Sequence, residues 1–182
     1  MPLILPSRDR FAEWVELVEE YGGPDSAELA GSGFHGNREP RTPVLTAAGY
    51  AEWLTMLEEE ADESVPLLPG RVHSSWFWIV DDAGEWIGFL ALRRTLNEFL
   101  HEYGGHIGYS IRPSRRHQGH AARALHDALG EASALGLDRV LITCDEDNIG
   151  SARTIERNGG VYEDTRGVKR RYWVPTHPAR VA

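Results

Sequence analysis

In Arg115-Arg116-His117-Gln118-Gly119-His120-Ala121 two cations stand beside a glycine, where a strand-like run gives way to a helix-like one. Gly119 has no Cβ, so a bulky anion can approach the backbone closely there. The first amides of the helix that follows lack intrahelical acceptors and lie at the positive end of its dipole. Such a turn can hold a phosphate or pyrophosphate. It is not a Walker loop, because no Gly-Lys-Ser/Thr follows. It is not a dinucleotide fingerprint, because the three spaced glycines are missing. A left-handed turn with solvated arginines would use the same residues, and the neighbouring segments decide between the two readings.

A second group could move protons. Asn97-Glu98-Phe99-Leu100-His101-Glu102-Tyr103 places two carboxylates and an imidazole between two central strands. Such groups could take a proton from a reacting group, directly or through a water. Glu98 is the first choice, being the carboxylate nearest the preceding strand; His101 and Glu102 come next. A solvated acidic loop is the plain alternative. His101, His106, His117 and His120 match no metal-ligand spacing, so no metal is expected. Cys144 is the single cysteine, which excludes an intrachain disulfide framework. It reads as a small buried hydrophobe at a strand end. Trp76 and Trp78 share a strand face and read as core, with an acceptor floor as the alternative. Arg166, Lys169, Arg170 and Arg171 read as a solvated hairpin edge.

The elements that position these groups follow from periodicity. Leu3 to Pro6 suggests a short first strand. Arg8 to Tyr21 reads as a helix, with Phe11, Trp14, Val15 and Val18 on one face. Gly31 to Pro43 reads as a loop, and Thr46 to Ala61 as a second helix with Tyr50, Trp53, Leu54 and Leu57 as its stripe. Ser75 to Val80, the turn Asp81-Asp82-Ala83-Gly84 and Trp86 to Arg93 form a hairpin. Thr95 to Gly105 reads as irregular. The strand His106 to Arg112, the helix Gly119 to Leu135 and the strand Val140 to Cys144 make a parallel strand–helix–strand unit. A short helix from Asn148 and a final hairpin, Val161 to Glu163 with Lys169 to Val174, complete the chain.

The pattern Arg/Gln-x-x-Gly-x-Gly/Ala stands here as Arg116-His117-Gln118-Gly119-His120-Ala121. With the strand Arg139 to Asp145 and the helix Asn148 to Gly160 behind it, this order resembles the GNAT superfamily of N-acetyltransferases. The resemblance is clear from about Trp76 to Val174 and specific from His106 to Gly160. It implies a mixed α/β fold: a central, mostly antiparallel mixed sheet, helices on both faces and one βαβ coenzyme-binding unit. One domain, 1–182, is expected, with acceptor-side helices and loop in 1–70 and the sheet and acetyl-CoA-binding core in 75–175.

By the same resemblance acetyl-CoA is the co-substrate. Its pyrophosphate would lie on the amides of Gln118, Gly119, His120 and Ala121. Arg116 would contact phosphate, Arg115 would add field or a 3′-phosphate contact, and His117 belongs to the turn. Pantetheine would bond the backbone near Ser110, Ile111 and Arg112, and an amide near Tyr109 would polarise the thioester carbonyl. Asn148 and Ser151 match positions that touch the coenzyme, and Asn148 could equally be a plain N-cap. Many family members place a tyrosine acid seven residues after that asparagine. Here the position is Ile155, so Tyr109, Tyr162, Tyr172 or water would have to serve.

The resulting expectation is an acetyl-CoA-dependent N-acetyltransferase in which an amine attacks directly in a ternary complex. The alternative is a non-catalytic coenzyme A-binding module of the same fold. A net charge of −9 argues against nucleic-acid binding, and no apolar run reaches membrane-span length. The chain start lacks a signal-peptide pattern, so the expected location is the cytoplasm. The partner is an amine acceptor, small molecule or peptide; a homodimer is compatible with this reading.

Overall fold

The computed structural model describes residues 3–34 and 44–177. Residues 35–43, most of the loop expected at Gly31 to Pro43, lie outside the described residues.

Alternating apolar residues build the first sheet. Strands β2 (Ser74–Val80) and β3 (Trp86–Arg93) pair antiparallel, with Trp76 opposite Ala91 and Trp78 opposite Phe89. Their turn is closed by Asp81, whose carboxylate accepts from the amides of Ala83 and Glu85, and Gly84 takes φ +81°. Strand β1 (Leu3–Ile4) adds to the outer edge of β2, and β4 (Ile107–Ile111) adds to β3. Strands β5 (Arg139–Asp145), β7 (Lys169–Pro175) and β6 (Val161–Arg166) form a second, antiparallel sheet in that order.

The two faces of the first sheet carry different cores. Helix α1 (Phe11–Glu20) buries Trp14, Leu17 and Val18. Helix α2 (Ala47–Ala61) starts at Thr46, whose hydroxyl accepts from the Gly49 amide, and buries Tyr50, Trp53, Leu54 and Leu57. Both pack on an aromatic layer that includes Trp76, Trp78, Trp86 and Phe89; the Trp78 and Trp86 rings stack 3.7 Å apart. The next residues along β3, Leu90 and Leu92, face the other way. They meet helices α3 (His120–Ala134) and α4 (Ile149–Arg157) through Leu125, Ala128, Leu129 and Ile155. The period of two along β3 thus separates an aromatic layer from an aliphatic one.

Three features differ from the sequence expectations. The parallel unit β4–α3–β5 exists, but β4 and β5 form no continuous ladder. They touch where the His106 amide donates to Leu141 O at 2.7 Å and the Leu141 amide donates to His106 Nδ1 at 2.9 Å. Beyond that point they diverge into two sheets. The irregular stretch contains a π-helical turn, Leu100–Gly104, nucleated by Asn97, whose side chain accepts from the Leu100 amide and donates to Gly70 O. Finally, the basic hairpin is not all solvated: Arg171 is fully buried and pairs with Glu163 and Asp164. Alternation along β7 turns it toward the irregularity at Tyr162 to Asp164 in β6.

Candidate active site

The gap between β4 and β5 has a defined polarity. Alternate residues of an antiparallel strand bond the same neighbour. The Arg93 amide donates to His106 O and the Arg112 amide to Ile87 O. This phase commits the His106 carbonyl, the Gly108 and Ser110 backbone and the Arg112 amide to β3. It turns the backbone of Tyr109 and Ile111 toward the gap. Of the backbone groups expected to meet pantetheine, those of Tyr109 and Ile111 face the gap, and Ile111 O there accepts from Arg116 Nε at 2.9 Å. The Ser110 backbone and the Arg112 amide are spent inside the sheet.

At the end of the gap stands the turn into α3. Gly119 takes φ +80° and no side chain caps the helix. The first intrahelical bond is Arg123 N to Gly119 O, so the amides of His120, Ala121 and Ala122 come before the ladder begins. A Cβ at Gly119 would meet nothing nearer than Arg123 Nη1 at 3.9 Å, so the space over this turn is open. His117 is the one non-glycine residue with positive φ among those described, at 61°. Gln118 and Gly119 are exposed; His120 is buried, and burial with the charges of Arg123 and Arg115 lowers its pKa.

The cations beside this turn are already engaged. Arg112 pairs with Glu20 at 2.5 Å and with Glu85. Arg115 pairs with Asp81 and Glu85. Arg116 pairs with Glu28 at 2.6 Å, donates to Ile111 O and lies over the Tyr21 ring. Arg115 is thus held back against the β2–β3 turn. Arg116 is held through Nε and Nη2, and no partner meets its Nη1 among the described residues. The sequence reading overlooked Arg123, one helical turn beyond Gly119, exposed and 2.9 Å from His120 Nδ1. A basic residue in the first turn of the phosphate-side helix was the signal.

On the far wall Asn148 caps α4, its carboxamide accepting from the Ser151 amide at 3.0 Å. The Ser151 hydroxyl lies 2.8 Å from the Tyr109 hydroxyl. Burial pushes the Tyr109 phenol up to about 12 against that hydrogen bond. Ile155 is wholly buried in the aliphatic core. Tyr172 is buried and donates to Glu156, whereas Tyr162 is exposed on the outer hairpin. Cys144 is buried on the same gap, and burial raises its thiol to about 11.

The gap opens into a cleft of about 660 Å³ that extends beneath the aromatic layer. Tyr109, Cys144, Asn148 and Ser151 are among its lining beside α4, and Glu60, Arg71, Trp76, Arg93, Phe99 and Tyr103 are among the rest. Gly31 (φ +82°) forms part of the roof; a Cβ there would stand 2.5 Å from Gly108 O. The expected bases lie elsewhere. The π-turn points Leu100 inward and leaves Glu98 exposed, outside the lining of this cleft. Glu102 is held by Arg166 and His101, whose hydrogen bonds keep its carboxyl below the usual range. The carboxylates that do line the cleft are Glu60, paired with Arg71, and Asp145, paired with Lys169 at 2.7 Å.

A divergent strand pair, an uncapped glycine turn at its end and a cleft alongside make a site for a long phosphorylated carrier. The family model of the acetyltransferase (GNAT) domain matches residues 26–161, about three quarters of the chain. The chain belongs to the GNAT acetyltransferases. No curated protein matches it. Among solved structures this GNAT chain is similar to Mycobacterium smegmatis RimJ in complex with CoA-disulfide, at 20% identity and a TM-score of 0.65, over 94% of this chain and 79% of that one. It is also similar to RimL, a ribosomal L7/L12 alpha-N-protein acetyltransferase in complex with coenzyme A, at 14% identity and a TM-score of 0.66, over 96% and 93% of the two chains. A chimera of Vibrio cholerae spermidine N-acetyltransferase SpeG gives 16% identity and a TM-score of 0.60, over 96% of each chain. At such identities the likeness is one of fold. The GNAT membership makes the protein an N-acetyltransferase with acetyl-CoA as co-substrate, and the open Gly119 turn and the outward backbone of Tyr109 and Ile111 fit that coenzyme.

Proposed function

We propose that the protein moves the acetyl group of acetyl-CoA to an acceptor amine by direct attack in a ternary complex. The observation that supports this most is the phase of β4, which aims the Tyr109 and Ile111 backbone into a gap running from the Gly119 turn to the cleft. In this reading the pyrophosphate rests on the amides of Gly119 to Ala122, with Arg123 beside it and Arg116 recruited from Glu28. Pantetheine lies along Ile111 and Tyr109 as an added strand. The Tyr109 amide donates to the thioester oxygen and stabilises the charge that develops as the amine adds. The amine enters through the cleft between Trp76, Phe99 and Tyr103. Holding both reactants there supplies the proximity that direct attack requires.

The leaving thiolate faces the Tyr109–Ser151 hydroxyl pair. A phenol raised to about 12 does not surrender its proton to a thiolate of pKa about 8.5, but it can donate a hydrogen bond to it. Tyr109 and Ser151 thus stabilise the leaving group, and water supplies the proton. On the acceptor side the cleft carboxylates Glu60 and Asp145 are each engaged by a cation, so the ammonium proton passes to cleft water, with Glu98 at most a rim relay.

The test is thiol release measured beside calorimetric acetyl-CoA binding. Release that depends on added amine, with no acetyl group on the protein after mixing with acetyl-CoA alone, is expected. An acetylated protein detected by mass spectrometry without acceptor overturns direct attack. Tight binding with no release against any amine would leave a coenzyme-binding module.

A further inference from the structure

At the acceptor end of the cleft one cation stands without a counter-ion. Arg93 is the last residue of β3, on the same face as Ala91 and therefore on the aromatic side of the sheet. Its Nη1 donates to Gly104 O and Gly105 O, both at 3.2 Å. Among the described residues no acceptor meets its Nη2 or Nε, and no carboxylate lies within ion-pair distance. Glu60, the nearby acid, is paired with Arg71. Asp145, the other acid of the cleft, is paired with Lys169. Both Nη atoms lie 3.5 Å from where a Cβ on Gly108 would be, one residue before Tyr109. The guanidinium thus overlooks the strand along which the thioester would lie. It remains a cation at neutral pH, although burial lowers its pKa to about 10. A partly buried guanidinium with free donors is costly unless a partner arrives, and a carboxylate matches its planar fork.

We infer that the acceptor carries a carboxylate close to the attacking amine and that Arg93 binds it as a specificity-determining residue. This rests on the direct-attack reading above and names its substrate class. The amine would attack at Tyr109 while the carboxylate rests on Arg93 Nη2 and Nε. The short distance between the two sites requires that amine and carboxylate be only a few bonds apart. A free amino acid meets this condition, and so does a peptide whose first residue is Asp or Glu. The wall formed by Trp76, Phe99 and Tyr103 is left for the rest of the acceptor.

The experiment compares matched acceptors on the wild-type protein. Free L-amino acids are set against their primary amides, and C-terminally amidated peptides beginning with Asp or Glu against those beginning with Asn or Gln. We expect the carboxylate member of at least one series to be preferred tenfold or more in kcat/KM, mainly through KM; which series responds identifies the source of the carboxylate. Arg93→Gln should shrink that ratio to two- or threefold while acetyl-CoA affinity stays within twofold, and Arg93→Lys should restore part of it. Amides used as well as carboxylates in both series overturn the inference, and that result needs no folded variant. An Arg93→Gln protein that loses the same factor on both members also overturns it, because Arg93 would then only hold Gly104 and Gly105. If acetyl-CoA binds but no acceptor of any kind is turned over, the transferase reading itself fails, a result distinct from lost discrimination.

Discussion

Two left-handed glycines mark the two ends of the site, and they are opposite in kind. Around Gly119 there is empty space: the nearest atom to an added Cβ is a flexible arginine tip at 3.9 Å. Around Gly31 there is backbone: the added Cβ would be driven to 2.5 Å from Gly108 O and 3.1 Å from Leu90 Cα. Gly119 keeps room for a ligand, whereas Gly31 keeps room for a strand. The Gly119 end is thus an open turn ahead of the α3 hydrogen-bond ladder. The Gly31 end is a roof pressed onto β4. A ligand at the first end can be lost without the fold, but the second end cannot change without it.

Substitution at the two glycines should separate these roles. Gly119→Glu puts a carboxylate where the pyrophosphate would rest, and acetyl-CoA affinity should fall a hundredfold or more, about 3 kcal/mol. The fold should survive, because the new side chain enters open space, lies near the positive end of α3 and bears only the left-handed strain of about 1–2 kcal/mol. Gly31→Ala should do the reverse. Strain at φ +82° together with the collision against Gly108 O should cost about 2–3 kcal/mol of stability and lower Tm by roughly 5–10 °C. Calorimetric Kd beside thermal melts reads both. Equal loss of binding and stability in the two variants would dissolve the contrast.

The vertex where the two sheets meet gives the next largest effect. His106 Nδ1 accepts the Leu141 amide, which requires an unprotonated nitrogen there, and burial lowers the imidazole to about 4. In the unfolded chain the same group titrates near 6.5. Between these values the unfolded state binds the extra proton, so stability falls as pH drops from about 6.5 toward 4 and is unaffected above that window. The expected loss at pH 4.5 is about 2 kcal/mol. His106→Asn keeps an acceptor for the Leu141 amide and does not titrate, so its Tm should fall less steeply over the same range. Parallel Tm–pH curves for the two proteins would show that His106 does not guard the vertex.

The elements around the Gly119 turn were legible because their information is local. The Gly119 turn, the period of α3 and the cap at Asn148 are each written in consecutive residues. The divergence of β4 from β5 was not: a buried parallel strand and one bordering a gap carry the same apolar run, and only the long-range His106–Leu141 contact separates them. The arginines were read correctly as a basic cluster, but their partners Glu20, Glu28, Asp81 and Glu85 come from α1, the loop after it and the first hairpin. Arg93 looked like an ordinary strand end. Arg171, read as solvated, is buried because two acids of β6 converge on it. Net charge misleads here as well: in a chain at −9, Arg93 lines the cleft with no carboxylate at ion-pair distance among the described residues.

The smallest expected effect falls on the residue that sequence reasoning favoured most as a base. Glu98 was chosen for its nearness to β3 along the chain. That argument depends on the rotational phase of the 97–104 segment, which an irregular stretch does not reveal. Asn97 sets the phase by capping the Leu100 amide, which sends Leu100 inward and Glu98 to solvent. A carboxylate that is exposed and outside the cleft lining can reach the amine only through water. Glu98→Gln should therefore lower kcat/KM less than about threefold at neutral pH, against the ~10²–10⁴-fold typical of losing an acid–base group. Its pH–rate profile should run parallel to wild type, both rising until the amine itself is deprotonated. Acetyl-CoA affinity should not move. A hundredfold loss that shrinks at high pH would instead show that the segment turns Glu98 into the cleft when substrates bind.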